Sequence, residues 1–219
     1  LLAENTVNGR YGPGEVVPVV DDEIQVDVRV LAPHWVTASQ VELYANGQKV
    51  REALMPTEPD RKLPPGVKWS GSWTLPRPKH DAHLVAVARG PGISGLYWPT
   101  AKPYQPTSPD PTTHTLGVSG AVWLDVDGDG RRTPARDYAE RLLRHADGEL
   151  PALLALLANS DAAVAAHAAF LYHSAGGSLT SAETQSALKT ATPAVREGFR
   201  AYFEAWRETQ AAGGARPGE

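Results

Sequence analysis

An immunoglobulin-like β-sandwich of about six or seven short strands, followed by a small all-α region, is the fold class this sequence predicts. Three observations carry it. Short segments such as Ile24-Gln25-Val26-Asp27-Val28-Arg29-Val30 alternate apolar and polar residues with period two, the habit of a half-buried strand. Sixteen of the nineteen prolines and five of the six tryptophans lie at or before Pro134, and alanine and leucine dominate beyond it. Proline and glycine punctuate strands, whereas alanine fills helices. No segment long enough for a crossover helix separates the alternating runs, which argues against a parallel sheet.

The elements follow in order. A strand is expected near Glu15 to Val20, and a longer one from Ile24 to Leu31. Ala38 to Ala45 is a third, closed by Asn46-Gly47, the strongest short-range hairpin signal. Lys49 to Leu54 is its return strand. Val67 to Leu75 places Trp69 and Trp73 on one face and Lys68 on the other. Asp81 to Arg89 is a further strand, and Ala121 to Leu124 is a short last one. The β region is thus residues 1–124. It is crossed by a proline-rich segment, 91–111, which carries six prolines and the rings of Tyr97, Trp98 and Tyr104. An acidic loop, 125–137, leads to a helical region, 138–212, and a tail, 213–219, expected to be disordered. Thr133 is expected to cap the first helix, with Pro134 at its first position, and Gly148 to end it. A short apolar helix covers Pro151 to Ala158. Asp161 caps the next, and Thr180-Ser181-Ala182-Glu183 reads as a capping box. Pro193 opens the last helix, with Val195, Phe199, Tyr202, Phe203 and Trp206 at helical spacing.

Composition excludes several chemistries. The chain has no cysteine, so disulfides, thiolate catalysis and cysteine zinc sites are absent. Its net charge is −4 with no long basic run, which disfavours nucleic acid or an anionic membrane as partner. No run approaches the roughly 20 apolar residues of a membrane helix. The start at Leu1 has neither an initiator methionine nor the basic and apolar regions of a signal peptide. The chain is therefore expected to be a processed product or a fragment with its targeting segment upstream, secreted or periplasmic.

Chemistry concentrates in Asp125-Val126-Asp127-Gly128-Asp129-Gly130. A hard cation such as calcium takes six to eight oxygens, and an EF-type loop supplies them from alternate positions around a sharply turning glycine. Asp125, Asp127 and Asp129 match the first three ligand positions and Gly130 the turn. Arg131 can offer its carbonyl, and Thr133 can hold a water. Arg136 stands where the bidentate carboxylate belongs. Asp137 is one residue late, and Asp137 or Glu140 serves only if the loop is longer. The competing reading is a solvated turn, but carboxylates packed this closely repel one another and a cation relieves that.

Other sites are thinner. His80 and His83 flank Asp81 and could hold zinc for a weak metal-dependent hydrolase. No Gly-x-Ser-x-Gly elbow or phosphate loop is present, so no catalytic residue is assigned. Tyr97, Trp98 and Tyr104 could stack on a glycan or meet a protein, although aromatic rings more often fill a core.

One stretch, about residues 7 to 136, resembles a known family. Val41-Glu42-Leu43-Tyr44-Ala45-Asn46-Gly47, the strand His83 to Ala88, Tyr97-Trp98-Pro99, and Val122 to Gly130 with Thr133-Pro134 look like the β-sandwich extension of secreted bacterial PHP-type metallohydrolases of the CehA/McbA-like group. Where similar proteins carry Thr-Asn-Pro before the last strand, this chain has Val118-Ser119-Gly120-Ala121. The resemblance implies a non-catalytic accessory region, partnered by an upstream catalytic domain of the same polypeptide. The family's histidine- and aspartate-rich catalytic motifs match no residue here.

Overall fold

Period-two alternation becomes nine strands among the residues described by the computed structural model, which are 1–56, 63–93, 95 and 114–214. They are β1 (Leu2–Val7), β2 (Val16–Pro18), β3 (Glu23–Leu31), β4 (Gln40–Ala45), β5 (Gln48–Leu54), β6 (Val67–Pro76), β7 (Ala82–Pro91), β8 (His114–Val118) and β9 (Val122–Asp125). Five helices follow: α1 (Ala135–His145), α2 (Leu150–Leu156) continued by a 3-10 turn (Leu157–Asn159), α3 (Ala162–Ser174), α4 (Ala182–Thr190) and α5 (Pro193–Gly214). The chain divides into two compact units, Leu1–Pro78 with Ala82–Arg132, and Lys79–Asp81 with Thr133–Glu219.

In the first unit, β1, β3 and β6 form an antiparallel sheet. A second sheet has the order β2-β9-β7-β4-β5. β7 organises it: β4 runs along one edge, while the other edge is shared, with β9 paired at Ala82–Leu84 and β8 at Val87–Pro91. Ile24, Val26, Val28 and Val30 of β3 are fully buried and share one apolar core with Val41, Leu43, Leu84, Ala86, Val122 and Leu124 of the second sheet. The β4–β5 hairpin turns at Asn46 and Gly47, with φ of 48° and 81°. Positive φ at both central residues matches the strand twist and is why Asn-Gly is chosen.

Three features depart from the sequence reading. β2 pairs with β9 in parallel. No crossover helix is needed, because all the intervening strands serve as the long connection that parallel pairing requires. β1 was not anticipated because its core face carries Asn5, buried with its amide N–H donated to the Leu84 carbonyl at 3.2 Å. β8 was not anticipated because Leu116 and Val118 are exposed and its only buried residue is Gly117.

The helical unit buries Leu153, Leu157, Val164, Ala165, Ala168, Ala169, Val195 and Phe199. α3 meets α5 at Gly198, where an added Cβ would lie 2.6 Å from the Ala165 Cβ and against the Ala162 carbonyl. Asp161 caps α3, accepting from the Val164 N–H at 2.9 Å. Two caps differ from expectation. The N-cap of α4 is Ser181, whose hydroxyl accepts from the Thr184 N–H at 3.2 Å. The cap is therefore one residue beyond Thr180, and the Thr184 hydroxyl donates to the Ser178 carbonyl at 2.7 Å. The N-cap of α1 is Pro134, extended at ψ 158° with no side-chain bond, and Thr133 is buried rather than capping. No helix among the described residues is long and apolar enough to cross a membrane.

Candidate metal centre

β9, flanked by β2 and β7, ends at Asp125 with its backbone already fixed. Leu124 pairs with Ala82 of β7 on one side and Val17 of β2 on the other. The Asp125 carbonyl accepts from the Val19 N–H at 2.9 Å. Arg77 donates to the next carbonyl, that of Val126, at 3.0 Å, and Arg132 donates to the Gly14 carbonyl at the far end of the loop.

Between these anchors the chain curls round Asp125, which is 4% exposed. One oxygen of its carboxylate accepts from the Gly128 N–H at 2.8 Å, the other from the Gly130 N–H at 2.9 Å. Both glycines have positive φ, 77° and 72°, a conformation that favours glycine over any side chain. Asp127 accepts from the Asp129 N–H at 3.3 Å, and Asp129 from the Arg131 N–H at 2.8 Å. Each carboxylate oxygen has two lone pairs, so these bonds orient the aspartates without exhausting them.

A fourth carboxylate joins them. Asp81 immediately precedes Ala82, the residue that pairs with Leu124, so the step that ends β9 at Asp125 also brings Asp81 level with it. Asp81, Asp125, Asp127 and Asp129 each bring one oxygen within 4.8 Å of the others. Asp81 and Asp125 are buried, while Asp127 and Asp129 are exposed. Such a group of hard oxygen donors is able to chelate a metal ion.

Asp81 is the residue that sequence reasoning assigned to a different site, beside His80 and His83. Among the described residues no histidine belongs to the carboxylate group. The His83 ring lies 5.2 Å from that of Trp123, its partner across the β7–β9 pair. The His80 ring donates from Nδ1 to the Asp81 carbonyl at 2.8 Å, and its Nε2 is 3.5 Å from the Asp161 carboxylate. Burial opposes its charge, but the Asp161 carboxylate, together with the carbonyl and carboxylate of Asp81, outweighs burial and raises its pKa above the ordinary imidazole value. The other residues named from the sequence are placed as follows. Arg131 is exposed and contributes its N–H to Asp129. Thr133 is buried. Asp137 is exposed in the first turn of α1, and Glu140 pairs with Arg136 at 2.9 Å. Tyr97, Trp98 and Tyr104 lie outside the described residues.

No protein-family model matches the chain, and neither a curated protein nor a solved structure matches it significantly.

Proposed function

We propose that this chain is a cation-binding module whose ion is calcium, held by Asp81, Asp125, Asp127 and Asp129. The observation that carries the reading is the arrival of Asp81 beside a loop that already has ligands at alternate positions. Calcium takes oxygens at 2.3–2.6 Å, so two ligands on opposite sides of the ion stand about 4.6–5.2 Å apart. The 4.8 Å limit on the four oxygens is compatible with that sphere. Backbone carbonyls, with that of Arg131 the first candidate, and water would complete it. An oxygen-only donor set favours calcium, magnesium or manganese over zinc or copper.

The larger setting follows from the family resemblance. In it the two-sheet unit is an immunoglobulin-like accessory sandwich of a secreted PHP-type metallohydrolase, downstream of a catalytic domain in the same polypeptide. The two sheets sharing one core support the sandwich part of this reading. A bound cation would hold the end of β9 to the start of β7 by neutralising carboxylates that otherwise repel.

A second reading, metal-dependent hydrolysis by this chain itself, is favoured by Asp81. A four-carboxylate group with two exposed members leaves room for a water or a substrate oxygen on the ion.

Calorimetric titration of the metal-stripped protein with calcium tests the main reading. Saturable heat is expected in the wild type, none in Asp127→Ala/Asp129→Ala, and weaker binding in Asp81→Asn. No heat in the wild type removes the cation from the account, and unchanged affinity in Asp81→Asn removes Asp81 from the ligand set. Incubating the whole chain with simple phosphodiesters and esters, plus calcium or manganese, separates the two readings. Turnover that vanishes in Asp127→Ala/Asp129→Ala makes the chain an enzyme, and its absence leaves a binding module.

A further inference from the structure

The helical unit holds a recess between α4 and α5. It has a volume of about 340 Å³. That is at the small end of the 300–1,000 Å³ usual for small-molecule sites. Its apolar surface comes from Leu179 and Phe199, which are buried, and from Leu188 and Phe203, which are half-buried and leave carbon exposed to solvent. Its charged lining is of one sign: Lys189, Arg196 and Arg200, with no carboxylate among the lining residues.

The three cations are not equivalent. Arg200 is held by Glu197 at 2.6 Å and by Glu204 at 3.5 Å, so its charge is compensated. Arg196 is anchored differently. It donates from one terminal nitrogen to the carbonyls of Ala191 at 2.6 Å and Lys189 at 3.5 Å, at the end of α4. Those bonds fix its position without cancelling its charge, and a guanidinium has further donors to offer. Lys189 has no carboxylate partner among the described residues. An apolar recess beside two uncompensated cations, one of them immobilised, is complementary to a molecule with a hydrocarbon body and an anionic head.

We propose that this recess binds a medium-chain monocarboxylate, its chain against Leu188, Phe199 and Phe203 and its carboxylate between Arg196 and Lys189. The size of the recess favours such a small amphiphile over a helix of a partner protein, which needs a longer groove.

The test uses the whole chain in a chelator-containing buffer, so that calcium neither precipitates the acid nor contributes heat. Decanoate is titrated below its micelle concentration, against decanol and decyltrimethylammonium. Saturable one-to-one binding of decanoate is expected, with decanol weaker and the cationic amphiphile weakest. Replacing both head-group partners, Lys189→Gln/Arg196→Gln, is expected to weaken decanoate about a hundredfold, roughly tenfold for each charge-assisted hydrogen bond lost, and to leave decanol unchanged. Lys189→Gln alone, at an exposed position that anchors no helix end, keeps the test valid if the double variant unfolds, and is expected to reduce the decanoate-over-decanol preference. No saturable decanoate binding, or equal binding of all three amphiphiles, overturns the proposal. So does a folded double variant that binds decanoate as the wild type does.

Discussion

Val26, Val28 and Val30 line one face of β3, each fully buried in the apolar core that also holds Leu43 and Leu84 of the second sheet. α3 solves the same burial problem with Ala165, Ala168 and Ala169, and brings Gly198 of α5 against Ala162 and Ala165. In the first unit, bulky side chains fill the space between two sheets. In the second, small side chains let two helix backbones approach until little space is left to fill. Both reach the same burial, but they fail differently. Removing atoms damages the first, and adding atoms damages the second.

The comparison can be broken from either side. Leu43→Ala should give the largest effect, about 3 kcal/mol of destabilisation from a cavity the sheets cannot collapse. Denaturant unfolding followed by tryptophan fluorescence measures it, and a loss below about 1 kcal/mol would mean that the sheet core is as adaptable as a loose one. Calcium at 100 times its Kd should stabilise the sheet unit by about 2.7 kcal/mol, and chelator should remove that increment. Equal midpoints with calcium and with chelator would dissociate the aspartate group from the stability of the unit. Gly198→Ala, which adds a single methyl group, should destabilise the helical unit by about 2 kcal/mol, through contact with Ala162 and Ala165. A neutral or stabilising outcome, as expected from helix propensity alone, would show that α3 and α5 have room to separate. Ser181→Ala should cost about 1 kcal/mol by leaving the Thr184 N–H without its cap. Thr180→Ala should cost much less, which separates the observed cap from the one the sequence suggested.

The smallest and most gradual effect is on pH. Burial of Glu42 opposes its ionisation, but hydrogen bonds from Tyr44, Arg89 and Lys49 outweigh burial and lower its pKa below the usual carboxylate range. A lowered folded-state pKa contributes stability that is present above the unfolded pKa and is lost as pH falls through the folded value. Unfolding free energies of the wild type and Glu42→Gln, measured by denaturant at a series of pH values, should therefore differ most above the unfolded carboxylate pKa and converge as pH falls through the lower folded value. A constant offset across the whole range would assign the effect of Glu42 to packing instead.

The legible parts of the molecule were those whose cause is local. Ile24 to Leu31 reads as a strand because its alternation is unbroken, and β3 spans Glu23–Leu31. Asn46-Gly47 reads as a hairpin because two positive φ angles in succession need those residues. Asp125, Asp127, Asp129 and Gly130 read as a ligand loop because their spacing lies within a few residues, and the three aspartates do converge. What escaped reading had a distant cause. β1 hides behind Asn5, a polar side chain in a core position that makes sense only once the Leu84 carbonyl lies beside it. Asp81 next to His80 suggested zinc, and nothing nearby in the chain pointed to Asp125.

By itself the sequence determined the division into a strand-rich and a helix-rich part, the sharp turns, and three of the four carboxylates. Each of these depends on backbone preference or side-chain period over a few residues. Only the tertiary structure decided which strands became neighbours, that β2 would lie parallel to β9, and that Asp81 would complete the acidic group. These depend on the β7–β9 register, Ala82 against Leu124, set by burying both in a common core, and no short-range preference encodes it.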